Sequence, residues 1–550
     1  MTILKETKHA ARIATSTIAA MLAVAASATS SIAQAGGPGA SAGSATGTSS
    51  GAPTSGAAGE APASQAAPST ASPSTGEANE PAVNSVTAGS MPSPELAGVN
   101  TNMAPIHYDL NRTITEAIAA STDLADAVRN VEIDNKKSDE AKAAARPHVT
   151  GQGQATRFDQ ATKVSIGGSP PIEVVGDHTE LVSLNISDNL DITGEIAAAA
   201  DQSHLQSLED RVIAQQIANR RILNAHTVYY NLLRAQHQVS VAQASLATAK
   251  TQQNLAVQLN QQQVGQKIDV LRANTQVATA QQQLTAAQNN LGIARQNFDN
   301  LVGQPIGTPV TVDDISGVTV GESVTSSSQV GAPSPNISLF TVPETEVTGI
   351  DLNNTITAAY NRRPEVLAAA LEVRVQQTGI KIARSGLEPS LTLSGAGDYY
   401  PTTSFQAPRQ RTASITATLQ IPLYDGGATR DKVDQAKLKT ENAKASLSAR
   451  KNDVSLDVGQ AYLNLITAAS QVDAANSALQ QAIGARQLAQ IRYEGQVGLY
   501  LEVTDAESAL VTAENNQVNA VYDYFVAKAV FQNATGTPDV PAGAAYPVAK

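Results

Sequence analysis

Apolar residues recur at three- and four-residue spacing over four long stretches of this chain. Leu232, Ala235, Val239, Ala242, Leu246 and Ala249 form the first series. After Gly265 the pattern returns as Val270, Ala273, Val277, Ala280, Leu284, Ala287, Leu291, Ala294, Phe298 and Leu301. Leu465, Ala468, Val472, Ala475, Leu479 and Ala482 make the third series, and Val503, Ala506, Leu510 and Ala513 the fourth. This spacing lays one apolar stripe along an α-helix, and Ala at alternate core positions lets two helices approach closely as an antiparallel coiled coil. Residues 195–264 hold neither Gly nor Pro over 70 positions, so a continuous helix there would span roughly 100 Å.

Elsewhere the period is two. Ile415, Ala417, Leu419 and Ile421 alternate with Ser414, Thr416, Thr418 and Gln420. Leu391, Leu393, Gly395, Gly397 and Tyr399 alternate with Thr392, Ser394, Ala396 and Asp398, and Val182, Leu184 and Ile186 with Ser183, Asn185 and Ser187. The segment that Pro147 opens is the weakest of the set. Strands are expected near 147–158, 179–189, 390–400 and 412–422, each about ten residues, the length that crosses a bilayer as a tilted strand.

The two halves are copies. Asp109-Leu110 recurs as Asp351-Leu352 and Pro147 as Pro389, an offset of 242. Tyr229 recurs as Tyr462, Val264-Gly265 as Val497-Gly498 and Gly303 as Gly536, an offset of 233. The first copy therefore carries nine extra residues between Pro147 and Tyr229. The organisation expected is a signal peptide at 1–35, with Lys5, Lys8 and Arg12 before an apolar run and Ala33-Gln34-Ala35 as cleavage site. A disordered Gly/Ala/Pro/Ser/Thr-rich stretch follows at 36–105. A first repeat (106–303), a linker (304–349), a second repeat (350–536) and a tail (537–550) complete the chain.

Composition narrows the function classes. The net charge is −12, and no basic block with interleaved aromatics is present, so nucleic acid is not an expected partner. There is no Cys, which removes disulfides, thiolate metal sites and a Cys nucleophile. His226 and His237 stand eleven residues apart on one helix, too far to share a metal ion. No metalloprotease, nucleophile-elbow or phosphate-loop signature appears. The chain is read as a non-enzyme without cofactor or metal. Four strands cannot close a barrel, and an open edge is not tolerated in lipid. Two subunits would give eight strands and a filled interior, whereas three give twelve and a lumen.

The chain resembles the TolC family of outer-membrane efflux and secretion channels. The resemblance rests on Arg363-Pro364-Glu365 at a helix start and Pro389-Ser390-Leu391-Thr392-Leu393 entering a strand. It continues through Ile421-Pro422-Leu423-Tyr424-Asp425-Gly426-Gly427, Ala461-Tyr462-Leu463-Asn464-Leu465, and Arg492-Tyr493-Glu494-Gly495 up to Asp505-Ala506. It implies a mostly α fold with a β-barrel portion: a homotrimer closing twelve strands in the outer membrane, continued by a periplasmic α-helical barrel. The implied function is the passive exit duct of a tripartite efflux or type I secretion system. Its implied partners are a periplasmic adaptor (membrane fusion) protein, a proton-driven or ABC inner-membrane pump, and outer-membrane lipid. By the same resemblance, Glu502 and Asp505 ring the pore aperture and Asp269 with Tyr493 latches the tip shut. Val264, Gly265, Val497, Gly498 and Leu499 are the adaptor-docking tips. The latch Arg of some relatives falls at Gly498, so that part is absent or replaced. Asp425 is expected to cap the helix that follows it, with Gly426-Gly427 making the turn out of the strand. The alternative is a periplasmic coiled-coil scaffold without a pore.

Overall fold

The structure is a computed structural model that describes residues 105–165, 167, 168, 170, 172–175, 177–314, 340–343, 349–401 and 410–541. The expected signal peptide, all but the last residue of the low-complexity stretch, most of the linker and Phe405 lie outside the described residues. In chain order the elements are β1 (Ile106–Tyr108), α1 (Leu110–Ala119), α2 (Thr122–Ala143), β2 (His148–Arg157), β3 (Thr162–Val164), β4 (Ile172–Val175) and β5 (His178–Leu190). Next come α3 (Glu195–Gln261), α4 (Lys267–Val302), β6 (Val310–Val312), α5 (Leu352–Arg362) and α6 (Pro364–Arg384). The chain ends with β7 (Ser390–Tyr399), β8 (Arg411–Gln420), α7 (Ala428–Glu494) and α8 (Tyr500–Ala534).

The duplication is visible element by element. Asp109 and Asp351 both cap their helices, accepting from Arg112 N at 2.7 Å and from Asn353 N at 3.0 Å. The long helices α3 and α7 are both 67 residues, about 100 Å each at the α-helical rise. Both follow a left-handed glycine, Gly194 (φ 78°) and Gly427 (φ 94°), the backbone region open to Gly at no steric cost. The nine extra residues sit between the first pair of strands. Residues 158–177 connect β2 to β5 where only 400–410 connect β7 to β8, and the longer connection folds back as the β3–β4 hairpin.

Strands β2, β5, β7 and β8 form one antiparallel sheet in that order. Residues opposite one another in an antiparallel ladder share a face. Val149 lies opposite Ile186, Ile186 opposite Gly395, and Gly395 opposite Ile415. Leu190, Leu391 and Leu419 align likewise, as do Val182 and Tyr399. The other face carries Thr150, Asn185, Ala396 and Ser414 in one row and Gln152, Ser183, Asp398 and Thr412 in another. The register therefore gathers most apolar positions of the four strands on one side, which also carries Glu180 and Asp188, and leaves the other mostly polar, Leu181 excepted. Val182, Leu190, Tyr399, Ile415 and Leu419 are exposed on this chain. The sheet's outer strands, β2 and β8, each have one ladder partner. Among the described residues no helix is long and apolar enough to cross a membrane.

Each long helix has two neighbourhoods. Nearer the sheet, α3 packs on α2 and α6, and further along on α4 and α8. The main core lies at mid-length, where Tyr229, Leu232, Leu233, Phe298, Leu465, Val472, Val521, Tyr522 and Tyr524 are buried together. The expected coiled-coil positions Leu232, Ala235, Val239, Ala242, Leu246 and Ala249 are all buried. Segments of the linker strap this core: β6 pairs in parallel with β1, Tyr229 donates to the Asp313 carbonyl at 2.7 Å, and Asn476 donates to that of Phe340 at 2.9 Å. The tail is likewise not free of the repeats, since Val540 packs on the cluster of Ile114, Ile118 and Ile222. Arg221 satisfies two helix-end carbonyls, donating to Ala117 O at 2.9 Å and Leu301 O at 2.6 Å.

Candidate functional site

Both helical hairpins turn at the end far from the sheet in sequence. The two turns share one hydrogen-bond pattern: Val264 N and Gly265 N donate to Leu259 O at 3.0 and 2.9 Å, and Val497 N and Gly498 N to Arg492 O at 3.0 and 2.9 Å. The left-handed residue in each is a glutamine, Gln263 and Gln496, both at φ 61°. Gly265 and Gly498 are needed for a different reason. A Cβ on Gly265 would meet Leu259 Cβ at 2.9 Å, and one on Gly498 would meet Arg492 Cβ at 2.8 Å, with backbone at 3.1 Å in both. The side chains at the turns, Val264, Val497 and Leu499, are exposed, Val497 to 74%.

Just behind the turns the hairpins meet. Ala256 of α3, Ala273 of α4 and Tyr500 of α8 are buried together, with Val270 and Tyr493 packed against them. Small residues on the first hairpin leave room for the Tyr500 ring, which stands edge-on to Tyr493 at 5.4 Å. Burial, then the charges of Tyr493 and Asp269, push the Tyr500 phenol up to about 12. Tyr493 is raised by burial and next by the Asp269 charge, so the structure brings Asp269 and Tyr493 to the same junction. Asp269 also faces Arg272 at 3.8 Å.

Glu502 and Asp505, three apart on α8, are both exposed on that helix. Glu502 is ion-paired across the turn with Arg492 Nε at 3.2 Å, a partner that the sequence reading did not foresee. The Asp425 expectation is met with a shift: its carboxylate accepts from Gly427 N at 3.0 Å and Thr429 N at 2.6 Å, while Gly427 occupies the cap position. These bonds hold the Asp425 carboxyl below its usual range, Thr429 contributing most. The first copy does the same with Asp191, which accepts from Ile196 N and Ala197 N. Arg363 of the Arg-Pro-Glu motif is buried and reaches Glu365 at 3.1 Å and Asp457 at 3.1 Å, pinning the start of α6 to α7. Sequence reasoning missed Tyr500 at the tip and the pairing of Arg492 with Glu502.

A four-stranded sheet with one apolar face, joined to two copies of a very long helical hairpin, is a fold shared with solved outer-membrane channels. The outer-membrane channel OprN matches 78% of this chain and 89% of its own, with TM-score 0.60 at 21% identity. VceC of Vibrio cholerae matches 78% and 96%, with TM-score 0.61 at 18% identity. In sequence, the outer membrane efflux protein family matches residues 355–537, nearly all of the second copy. Outer membrane protein TolC of Vibrio cholerae serotype O1 is 30% identical over 188 residues, 33% of this chain and 43% of the relative. OprJ of Pseudomonas aeruginosa is 27% identical over 151 residues, 26% of this chain and 31% of the relative. The aligned stretches thus span less than half the length of these curated relatives. Over its second copy the chain is similar to the outer membrane efflux protein family.

Proposed function

We propose that the protein is an outer-membrane exit duct: a homotrimer whose twelve strands close a barrel in the membrane and whose helices continue it through the periplasm. The observation that carries this reading is the register of the four-stranded sheet. It collects Val149, Val182, Leu184, Ile186, Leu391, Leu393, Ile415 and Leu419 on one face, as lipid contact requires, and its strands of 10, 13, 10 and 10 residues suit a tilted bilayer crossing. An apolar face with two open edges is stable in lipid only if the edges pair with further copies. Three copies leave a lumen where two would fill it.

The duct is passive and runs no chemistry. Its inner end closes at the helix tips, where Asp269, Tyr493 and Tyr500 seat the second hairpin on the first, and Glu502 and Asp505 face the aperture. The exposed turn residues Val264, Gly265, Val497, Gly498 and Leu499 dock a periplasmic adaptor, which couples the duct to an inner-membrane pump. The relatives named as efflux proteins support an export role, in a tripartite efflux or type I secretion system, with selection of the cargo made by the pump. The leader is cleaved after Ala35. Native mass spectrometry of the detergent-solubilised protein tests the assembly: three copies of the mature chain are expected, and a stable monomer or dimer overturns the architecture.

A further inference from the structure

Between the tip and the main core, the two hairpins enclose a small polar cavity of about 50 Å³. Helix α3 lines it with Ala244, Ser245 and Thr248, α7 with Ile483, Arg486 and Gln487, and α8 with Glu507, Leu510 and Glu514. Glu507 is 3% exposed, and its Oε2 meets Arg486 Nε at 3.2 Å. Glu514 lies two helical turns further along the same face of α8 and is half-buried. The charged groups of the cavity are therefore two carboxyls and one guanidinium, and α3 offers it only uncharged side chains. A coiled-coil contact made of Ala, Leu and Val elsewhere along these helices has no need of such a group. Burying one ion pair here is tolerable because it is hydrogen-bonded; a second carboxylate has no cation of its own.

We propose that Glu514, with Glu507 and Arg486, is a proton-binding joint between the two hairpins: protonated, it lets α8 and α7 close on α3, and ionised, it loosens that contact. The direction follows from the surroundings. Burial, then the neighbouring Glu507 charge, push the Glu514 carboxyl up to about 7, against the pull of Arg486. Burial raises Glu507 as well, with Arg486 opposing it. A carboxyl whose pKa is raised in the closed form contributes to that form below the ordinary carboxylate range, and the contribution is lost as pH rises through the raised value. If opening hydrates Glu514 and restores its ordinary pKa, the open-to-closed ratio rises roughly tenfold per subunit between pH 6 and pH 8. The consequence for gating rests on the duct reading; the joint itself does not.

The absence of native Cys permits a direct test on the full-length protein in detergent. Spin labels at Ala247→Cys on α3 and Ala509→Cys on α8, both exposed positions, report the gap by pulsed electron paramagnetic resonance from pH 5.5 to 8.5. The expected result is a distance distribution that widens as pH rises toward about 7 and levels off above it, and that stays narrow at every pH when Glu514→Gln is added. The same substitution at the exposed Glu441 should leave the transition in place. A gap that does not respond to pH, or that responds equally in the Glu514→Gln protein, overturns the joint. Bilayer conductance of the same samples separates this from the duct reading: a pH-dependent gap in a protein that never conducts refutes the duct and leaves the joint standing.

Discussion

Replacing Tyr500 by Ala should leave the tip ajar. The Tyr500 ring is 2% exposed and fills the space between Ala256 and Ala273 of the first hairpin and Tyr493 of its own. Removing a buried aromatic costs about 3–5 kcal/mol through lost contact and the cavity left behind. Part of that contact, with Tyr493, stays within one hairpin and is kept when the tip opens. Assigning about half to the junction leaves roughly 2 kcal/mol lost from the closed state alone, a shift of about 30-fold toward opening. Resting conductance of the purified trimer in a planar bilayer reads this shift, with native mass confirming assembly. Tyr500→Phe isolates the ring from its hydroxyl, which has no hydrogen-bond partner among the described residues. The Phe variant should stay as closed as the parent. Lys267, the matching position of the first copy, starts α4 and is exposed; Lys267→Ala should change nothing. An assembled Tyr500→Ala trimer with parental resting conductance would refute the placement of the closing contact.

Four further outcomes are expected. Glu502→Ala with Asp505→Ala should weaken cation selectivity and block by multivalent cations, because like charges near the axis add in a narrow constriction; reversal potentials in asymmetric salt read this. The single change Arg492→Ala should strengthen selectivity, since it frees Glu502 from its 3.2 Å partner. Arg363→Ala should lower thermal stability by about 2–4 kcal/mol, less than a fully buried pair because Asp457 is half-exposed, and a thermal melt equal to the parent would contradict the pinning role. Burial, then the charge of Glu372, push the Glu209 carboxyl up to about 7, so the α3–α6 contact should be firmest below that pH and weaken as pH rises through it. Hydrogen exchange in α6, corrected for intrinsic rates, should increase from pH 6 to pH 8 in the parent and not in Glu209→Gln.

The sequence carried the long elements because their signals are periodic and repeated. Seventy positions without Gly or Pro predicted α3, and strands expected at 390–400 and 412–422 appear at Ser390–Tyr399 and Arg411–Gln420. The gap between the offsets 242 and 233 foretold an insertion, and the structure puts it in the β2–β5 connection. The parallel β1–β6 pair was not legible, since each strand is three residues and their pairing joins segments some 200 positions apart. The turn glycines were visible, but the left-handed Gln263 and Gln496 were not, because nothing in a glutamine announces positive φ. The cross-hairpin polar pairs did leave a trace. In an antiparallel hairpin, residues equidistant from the turn face each other. Arg492 with Glu502, Arg486 with Glu507, and Gln253 with Asn274 all obey that rule. Counting outward from the predicted turns would have found them. Tyr500 escaped because its neighbours, Ala256 and Ala273, belong to the other hairpin, and the packing of one hairpin on another has no local signature.

The central claim is that this chain closes a conducting pore with its own copies, and planar-bilayer recording of the purified full-length protein tests it most directly. Discrete, cation-preferring conductance steps are predicted, small at rest and raised by Tyr500→Ala. A correctly assembled, membrane-inserted protein that passes no current in any variant would contradict the account.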